Sequence, residues 1–168
     1  YGTTTGQTGH FANEIMQKKG LPFAAYFSVK MPDTWTPTFD LSDLQKVRRI
    51  NLDAEQEIDF AIKKIQSRFA GDYMRNKVPT ILAKTFYGLD YNAMRKTSHF
   101  KVENSCIGCG LCAKNCPVSA IEIRNKKPVW VKDRCVMCLS CLHHCPKFAI
   151  QYENRTKKHG QYTNPNVK

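Results

Sequence analysis

Cys106-Ile107-Gly108-Cys109-Gly110-Leu111-Cys112-Ala113-Lys114-Asn115-Cys116-Pro117 recurs 29 residues downstream as Cys135-Val136-Met137-Cys138-Leu139-Ser140-Cys141-Leu142-His143-His144-Cys145-Pro146. Both runs read C-x2-C-x2-C-x3-C-P. The echo continues past the prolines, where Ala120-Ile121 and Ala149-Ile150 stand at equal distances. All eight cysteines lie in these runs, and residues 1–105 contain none. Such crowding suits either a disulfide framework or a metal site, and the spacing separates the two. A structural zinc site wants ligand pairs parted by a longer connection, whereas each run here holds more cysteines than zinc needs. Three cysteines at intervals of three let a tight loop wrap one corner of a cubane cluster. The fourth, at the start of a short helical turn, reaches the neighbouring cluster. The expected ligand sets are therefore crossed: Cys106, Cys109, Cys112 and Cys145 for one [4Fe–4S] cluster, Cys135, Cys138, Cys141 and Cys116 for the other.

With this spacing, residues 97–154 resemble a bacterial-type two-cluster ferredoxin. The resemblance implies a pseudo-symmetric βαββαβ unit with the clusters as its core. Strand-like runs at Phe100–Glu103, Ala120–Arg124, Val129–Lys132 and Ala149–Tyr152 fit it, with Asn125–Pro128 as a turn. A domain under ~60 residues draws much of its core from its cofactors. Ile107, Ile121, Val136 and Ile150 are candidates to keep water off them. One departure is visible. Ferredoxins commonly carry glycine after the second cysteine of each triplet; Gly110 fits, but its counterpart is Leu139, and Met137 stands opposite Gly108. A differently shaped second loop is therefore expected. His143 and His144 read as surface positions on a short helix, the alternative being a role in tuning or protonation. His10, His99 and His159 show no ligand spacing. The basic tail after Asn154 reads as frayed.

Residues 1–96 read as a separate α/β segment. A glycine- and hydroxyl-rich loop leads into a helix from about residue 11 to 19, with Gly20 as its stop. Phe23–Val29, between Pro22 and Pro32, reads as one buried strand. Asp53 with Gln56 reads as a capping box for a helix whose apolar face is Ile58, Ile62, Ile65 and Phe69 and which ends near residues 71–76. Thr80–Met94 reads as a second helix. Two stretches resemble parts of a flavodoxin-like domain. Thr3-Thr4-Thr5-Gly6-Gln7-Thr8 is similar to a flavodoxin phosphate loop. Phe27–Asp33 is similar to the stretch after the fifth strand in flavodoxin–ferredoxin fusion proteins of anaerobic microbes, where the preceding Tyr-Gly loop faces the flavin ring. The second placement is favoured because a long helix and then the cysteine runs follow it. It puts the phosphate loop upstream of Tyr1. Either way, Tyr1, Gly2, Thr3, Thr4, Thr5, Gly6 and Thr8 are the candidate FMN contacts.

The fold expectation is therefore α+β: a partial flavodoxin-like segment over 1–96, then a two-[4Fe–4S] ferredoxin domain with a basic tail over 97–168. Its 168 residues, 42% apolar and 24% charged, exclude collagen and a wholly disordered chain. The longest apolar stretch, Leu21–Val29, is interrupted by Pro22 and Ser28, far short of the ~20 residues of a membrane span. No basic-then-apolar leader is visible, so the expected location is cytoplasmic. The net charge of +12 is concentrated with the cysteines: from Thr97 onward 12 basic residues face 4 acidic ones. That predicts a redox partner with an acidic surface. Nucleic acid is not expected, because basic and aromatic residues do not interleave. The resulting function is electron transfer through two clusters, with a flavin exchanging electrons with them in the full-length protein. The alternative is a flavin-dependent reductase, or a subunit of one, using the clusters as internal wiring. No catalytic nucleophile–base pair stands out.

Overall fold

A computed structural model describes residues 1–89 and 91–166. The chain forms two compact units, one from Tyr1–Asp33 with Leu44–Gly88 and the other from Thr34–Asp43 with Leu89–Lys168. Ten residues far upstream of the cysteines belong to the second unit, and the later boundary falls between residues 88 and 89.

In the first unit, helix α1 (Thr8–Gln17) ends in a tight turn. Gly20 N–H returns to Gln17 C=O and Leu21 N–H to Met16 C=O, the paired bonds of a helix stop. Strand β1 (Ala25–Phe27), helix α2 (Leu44–Gln66) and strand β2 (Gly71–Tyr73) form a parallel β–α–β crossover with Ala25 opposite Gly71 and Phe27 opposite Tyr73. Helix α3 (Thr80–Leu89) follows.

Three expectations are corrected here. Helix α2 starts directly after Asp43, so Asp53 lies in its middle and caps nothing. The helix ends at Gln66, and the glycine–aspartate stretch beyond it, poor in intrinsic strand formers, is β2. It forms because β1 offers an edge and because the Tyr73 ring stacks on Phe27 at 5.0 Å. The apolar face of α2 exists but is open: Ile62 and Ile65 are 44% and 60% exposed, and Phe69, expected on the same face, lies beyond the helix end and is 51% exposed. Among the described residues of this unit Ala54 is the one buried hydrophobic side chain. Of the expected helix over Thr80–Met94, the described residues are helical, as α3 and as α4 (Tyr91–Met94), and Asp90 lies outside the described residues.

In the second unit, strand β3 (Phe100–Val102), helix α5 (Leu111–Lys114), strands β4 (Ile121–Arg124) and β5 (Lys127–Trp130), helix α6 (Ser140–His143) and strand β6 (Ile150–Tyr152) follow in the βαββαβ order. Strands β3 and β6 pair antiparallel, as do β4 and β5. The β4–β5 turn is shorter than expected. Asn125 and Lys126 alone make it, both with positive φ, as a two-residue hairpin requires. Phe100, Ile121, Met137, Leu139, Leu142, Ile150 and Tyr152 form the core, and the Phe100 and Trp130 rings stack at 4.9 Å. Each fully buried side chain of this size contributes ~1.5–3 kcal/mol.

Two further corrections concern this unit. The tail is pinned: Thr156 is fully buried, and Gln161 Nε2 donates to the carbonyls of Leu142 (2.6 Å) and Cys145 (2.9 Å). His143 is buried, unlike exposed His144. Its Nε2 lies 2.9 Å from the Thr34 carbonyl, and its Nδ1 accepts from Tyr162 N–H at 3.2 Å. Both bonds suit a neutral ring, and burial lowers its pKa.

Candidate metal centres

The internal repeat holds down to single hydrogen bonds. Gly110 and Leu139 precede α5 and α6 in the same left-handed conformation, with φ of +78° and +54°. Lys114 N–H bonds to Gly110 C=O just as His143 N–H bonds to Leu139 C=O. Cys116 and Cys145 then receive matching donors: Ala120 N–H reaches Cys116 Sγ at 3.2 Å, and Ala149 N–H reaches Cys145 Sγ at 3.3 Å. The Ala-Ile echo in the sequence was the visible trace of these two bonds. Gly108 and Met137 also share a left-handed conformation, with φ of +69° and +53°. The expectation of a differently shaped second loop is thus corrected: the backbone keeps its shape, and Met137 and Leu139 bear the strain of residues with a Cβ in that region.

Two cavities flank this repeat. The first is lined by Cys106, Cys109, Cys112 and Cys145. The second is lined by Cys116, Cys135, Cys138 and Cys141. Each wall therefore takes three cysteines from one run and the last cysteine from the other. Ile150 closes the first cavity and Ile121 the second, both buried. Ile107 and Val136 also line them but are 60% and 40% exposed, so they shield only in part.

The chemistry of this donor set fits a polynuclear thiolate-bound group. None of the eight cysteines is in a disulfide. Burial pushes Cys141 up to about 12, with neighbouring cysteines adding to the shift. Burial also raises Cys112 and Cys135. Without a cation these sulfurs keep their protons; as ligands they must lose them, so metal binding supplies the missing positive charge. The eight cysteines are shared four and four between the two cavities. Backbone donors face them as well, Met137 N–H lying 3.4 Å from Cys135 Sγ.

The loops around the cavities differ in cover. Gly108 and Gly110 leave the first loop thin. A Cβ at Gly108 would stand 2.6 Å from the Lys126 carbonyl, so glycine is required for the β4–β5 turn to pack there. On the second loop Met137 and Leu139 are buried, and a hollow lined by Trp35, Tyr91, Met94, Val136 and Met137 adjoins it. Arg95 Nε donates to Cys135 C=O at 2.8 Å. Sequence reasoning missed these covering residues, and nothing in their local pattern announces them.

The candidate flavin contacts fall in the first unit, apart from the cysteines. Tyr1 N bonds to Val29 C=O, and Met31 N–H to Tyr1 C=O. Gly2 lies so close to Asp33 that a Cβ would clash at 2.2 Å. Thr3 N–H and Oγ1 both bond Asp33 Oδ2, at 3.0 and 2.9 Å. Thr4 Oγ1 donates to Asn76 C=O, Thr5 Oγ1 to Arg75 C=O and Thr8 Oγ1 to Thr5 C=O. Gly6 N–H is taken by Thr4 Oγ1. The donors are thus committed within the chain, and a carboxylate stands where a phosphate would be repelled. These residues do not fit a phosphate cradle.

A 4Fe-4S dicluster domain family matches residues 105–150. Over 23 residues the chain is 61% identical to Ferredoxin-1 of Rhodospirillum rubrum, a match spanning 14% of this chain and 42% of that protein. The crossed walls of the two cavities and these likenesses agree: residues 105–150 are a 4Fe-4S dicluster domain of the ferredoxin type.

Proposed function

We propose that the chain is an electron-transfer module with two [4Fe–4S] clusters. Cys106, Cys109, Cys112 and Cys145 hold one; Cys135, Cys138, Cys141 and Cys116 hold the other. The observation that carries this reading is the pair of cavities, each walled by cysteines from both runs. When bound, such clusters take up and release single electrons. The chain's own residues set the conditions. Ala120, Ala149 and Met137 present N–H dipoles to cysteine sulfur, which favours added negative charge. Ile121, Leu142 and Ile150 exclude water from the space between.

The electrons are exchanged with a flavin. Because Tyr1–Thr8 does not form a phosphate cradle, no step is assigned to FMN on this loop. Thiolate-held clusters suit a reducing compartment, the cytoplasm. No helix among the described residues is long and apolar enough to cross a membrane.

Anaerobic reconstitution tests the reading. About eight irons per chain are expected, four per cubane. Cys116→Ala/Cys138→Ala should lose no more iron than either single variant, since both residues belong to one set. Cys116→Ala/Cys109→Ala should lose both clusters. Retention of one intact cluster in the latter pair would show that the ligands are not crossed.

A further inference from the structure

The two loops are equivalent in backbone but not in what surrounds them, and that asymmetry points to a port. On the first loop Cys109 is exposed, Ile107 is 60% exposed and Leu111 37%. No acidic side chain lines its cavity, whereas Lys147 does. The Lys126 backbone packs on Gly108, and Lys127 Nζ reaches the Cys106 carbonyl at 3.3 Å. Lys126, Lys127 and Lys147 are all exposed. Glu122 pairs with Arg124 and Glu103 with Lys157. The result is a small apolar centre with an exposed cysteine, rimmed by lysines. The second loop exposes Cys138 too. There, however, Met137 and Leu139 turn inward and the Trp35–Tyr91–Met94 hollow lies alongside.

We infer that the Ile107–Cys109 face, with Lys126, Lys127 and Lys147, is the docking surface for an acidic protein that carries a one-electron redox group. This inference rests on the cluster reading above and adds to it the point of entry. In the transfer, the partner's reduced group gives up one electron and is oxidised by one. The electron enters at the Cys106–Cys109–Cys112–Cys145 site. No bond is made or broken and no proton moves. The lysines pair with partner carboxylates around the rim, and the apolar centre brings the two redox groups close. Opposite charges across such a surface raise association rates by roughly 10–1,000-fold at low salt, an advantage lost as screening grows.

The test uses the reconstituted full chain and an acidic flavodoxin as electron donor, followed by stopped flow. Lys126→Glu/Lys127→Glu/Lys147→Glu should slow the reaction at least ~10-fold at low ionic strength, and the difference should fade at high salt. Lys18→Glu/Lys19→Glu/Lys63→Glu, an equal charge change elsewhere, should change it less than about twofold. Equal slowing in both variants, or none in the first despite full iron content, would overturn the inference and leave the cluster reading standing. Loss of iron from the unmutated chain would instead overturn the cluster reading. A second readout needs no variant. Carbodiimide coupling of the complex should join flavodoxin carboxylates to Lys126, Lys127 or Lys147, and coupling centred on Lys96 and Lys132 would place the port on the other loop.

Discussion

Leu139 offers a direct measure of the strain in the second cysteine loop. Its φ of +54° lies in the left-handed region, where a residue with a Cβ pays about 1–2 kcal/mol. Its side chain is 2% exposed in the core. Truncating such a leucine to alanine costs about 2–5 kcal/mol. Alanine keeps the backbone strain; glycine removes it, though glycine's greater freedom in the unfolded chain takes back about 0.5–1 kcal/mol. Both variants should therefore be less stable than the parent, with Leu139→Gly more stable than Leu139→Ala by about 1 kcal/mol. That order reverses the usual one for helices and strands. The assay is the rate at which cluster absorbance bleaches in denaturant under anaerobic conditions. A difference of about 1 kcal/mol in the unfolding barrier gives roughly a fivefold difference in rate. If the glycine variant bleaches as fast as the alanine variant, or faster, the strain assigned to this position is wrong.

Three other outcomes follow from the structure. Tyr152 is buried, its hydroxyl bonds Met94 C=O at 3.0 Å, and burial raises its pKa above 10.0. The folded state thus holds the phenolic proton more tightly, so its contribution is complete below pH 10 and is lost as pH rises through the raised value. The bleaching rate should climb there, and Tyr152→Phe should start faster but show a flatter alkaline limb. Gln161→Ala removes the donor that ties the tail to the Leu142 and Cys145 carbonyls. At about 1 kcal/mol per bond, it should cost ~1–2 kcal/mol, read as faster bleaching and early proteolysis after residue 154. FMN titrated into the chain should bind weakly; tight stoichiometric binding abolished by Thr5→Val and Thr8→Val would restore Thr3–Thr8 as a phosphate loop.

The cysteine chemistry was legible because it is local. Ligand spacing, the proline after each run and the Ala-Ile echo are written within a dozen residues, and the ferredoxin resemblance they carry implies the βαββαβ order. What escaped is what depends on distant residues. Gly71–Tyr73 has no strand character of its own and becomes one only beside β1. His143 looks like a polar residue on a four-residue helix until Thr34, 109 positions away, supplies its carbonyl. The tail looks frayed until Thr36 C=O meets His159 Nδ1 at 2.6 Å. Leu139 misled in another way: side-chain identity suggested a new backbone, but the repeat's hydrogen bonds hold the old one. The open face of α2 has the right period, yet periodicity cannot say what, if anything, lies against it.

The placement of Thr34–Asp43 in the second unit sets a timetable for biosynthesis. Its contacts with His143 and His159 join residues 109 and 123 positions apart. At ~5–20 residues per second, that segment leaves the ribosome roughly 5–25 s before the side chains that will receive it. The cysteines emerge inside this interval, Cys116 before Cys145, and a chain beginning at residue 97 would fold without that wait but leave the His143 ring without its Thr34 acceptor.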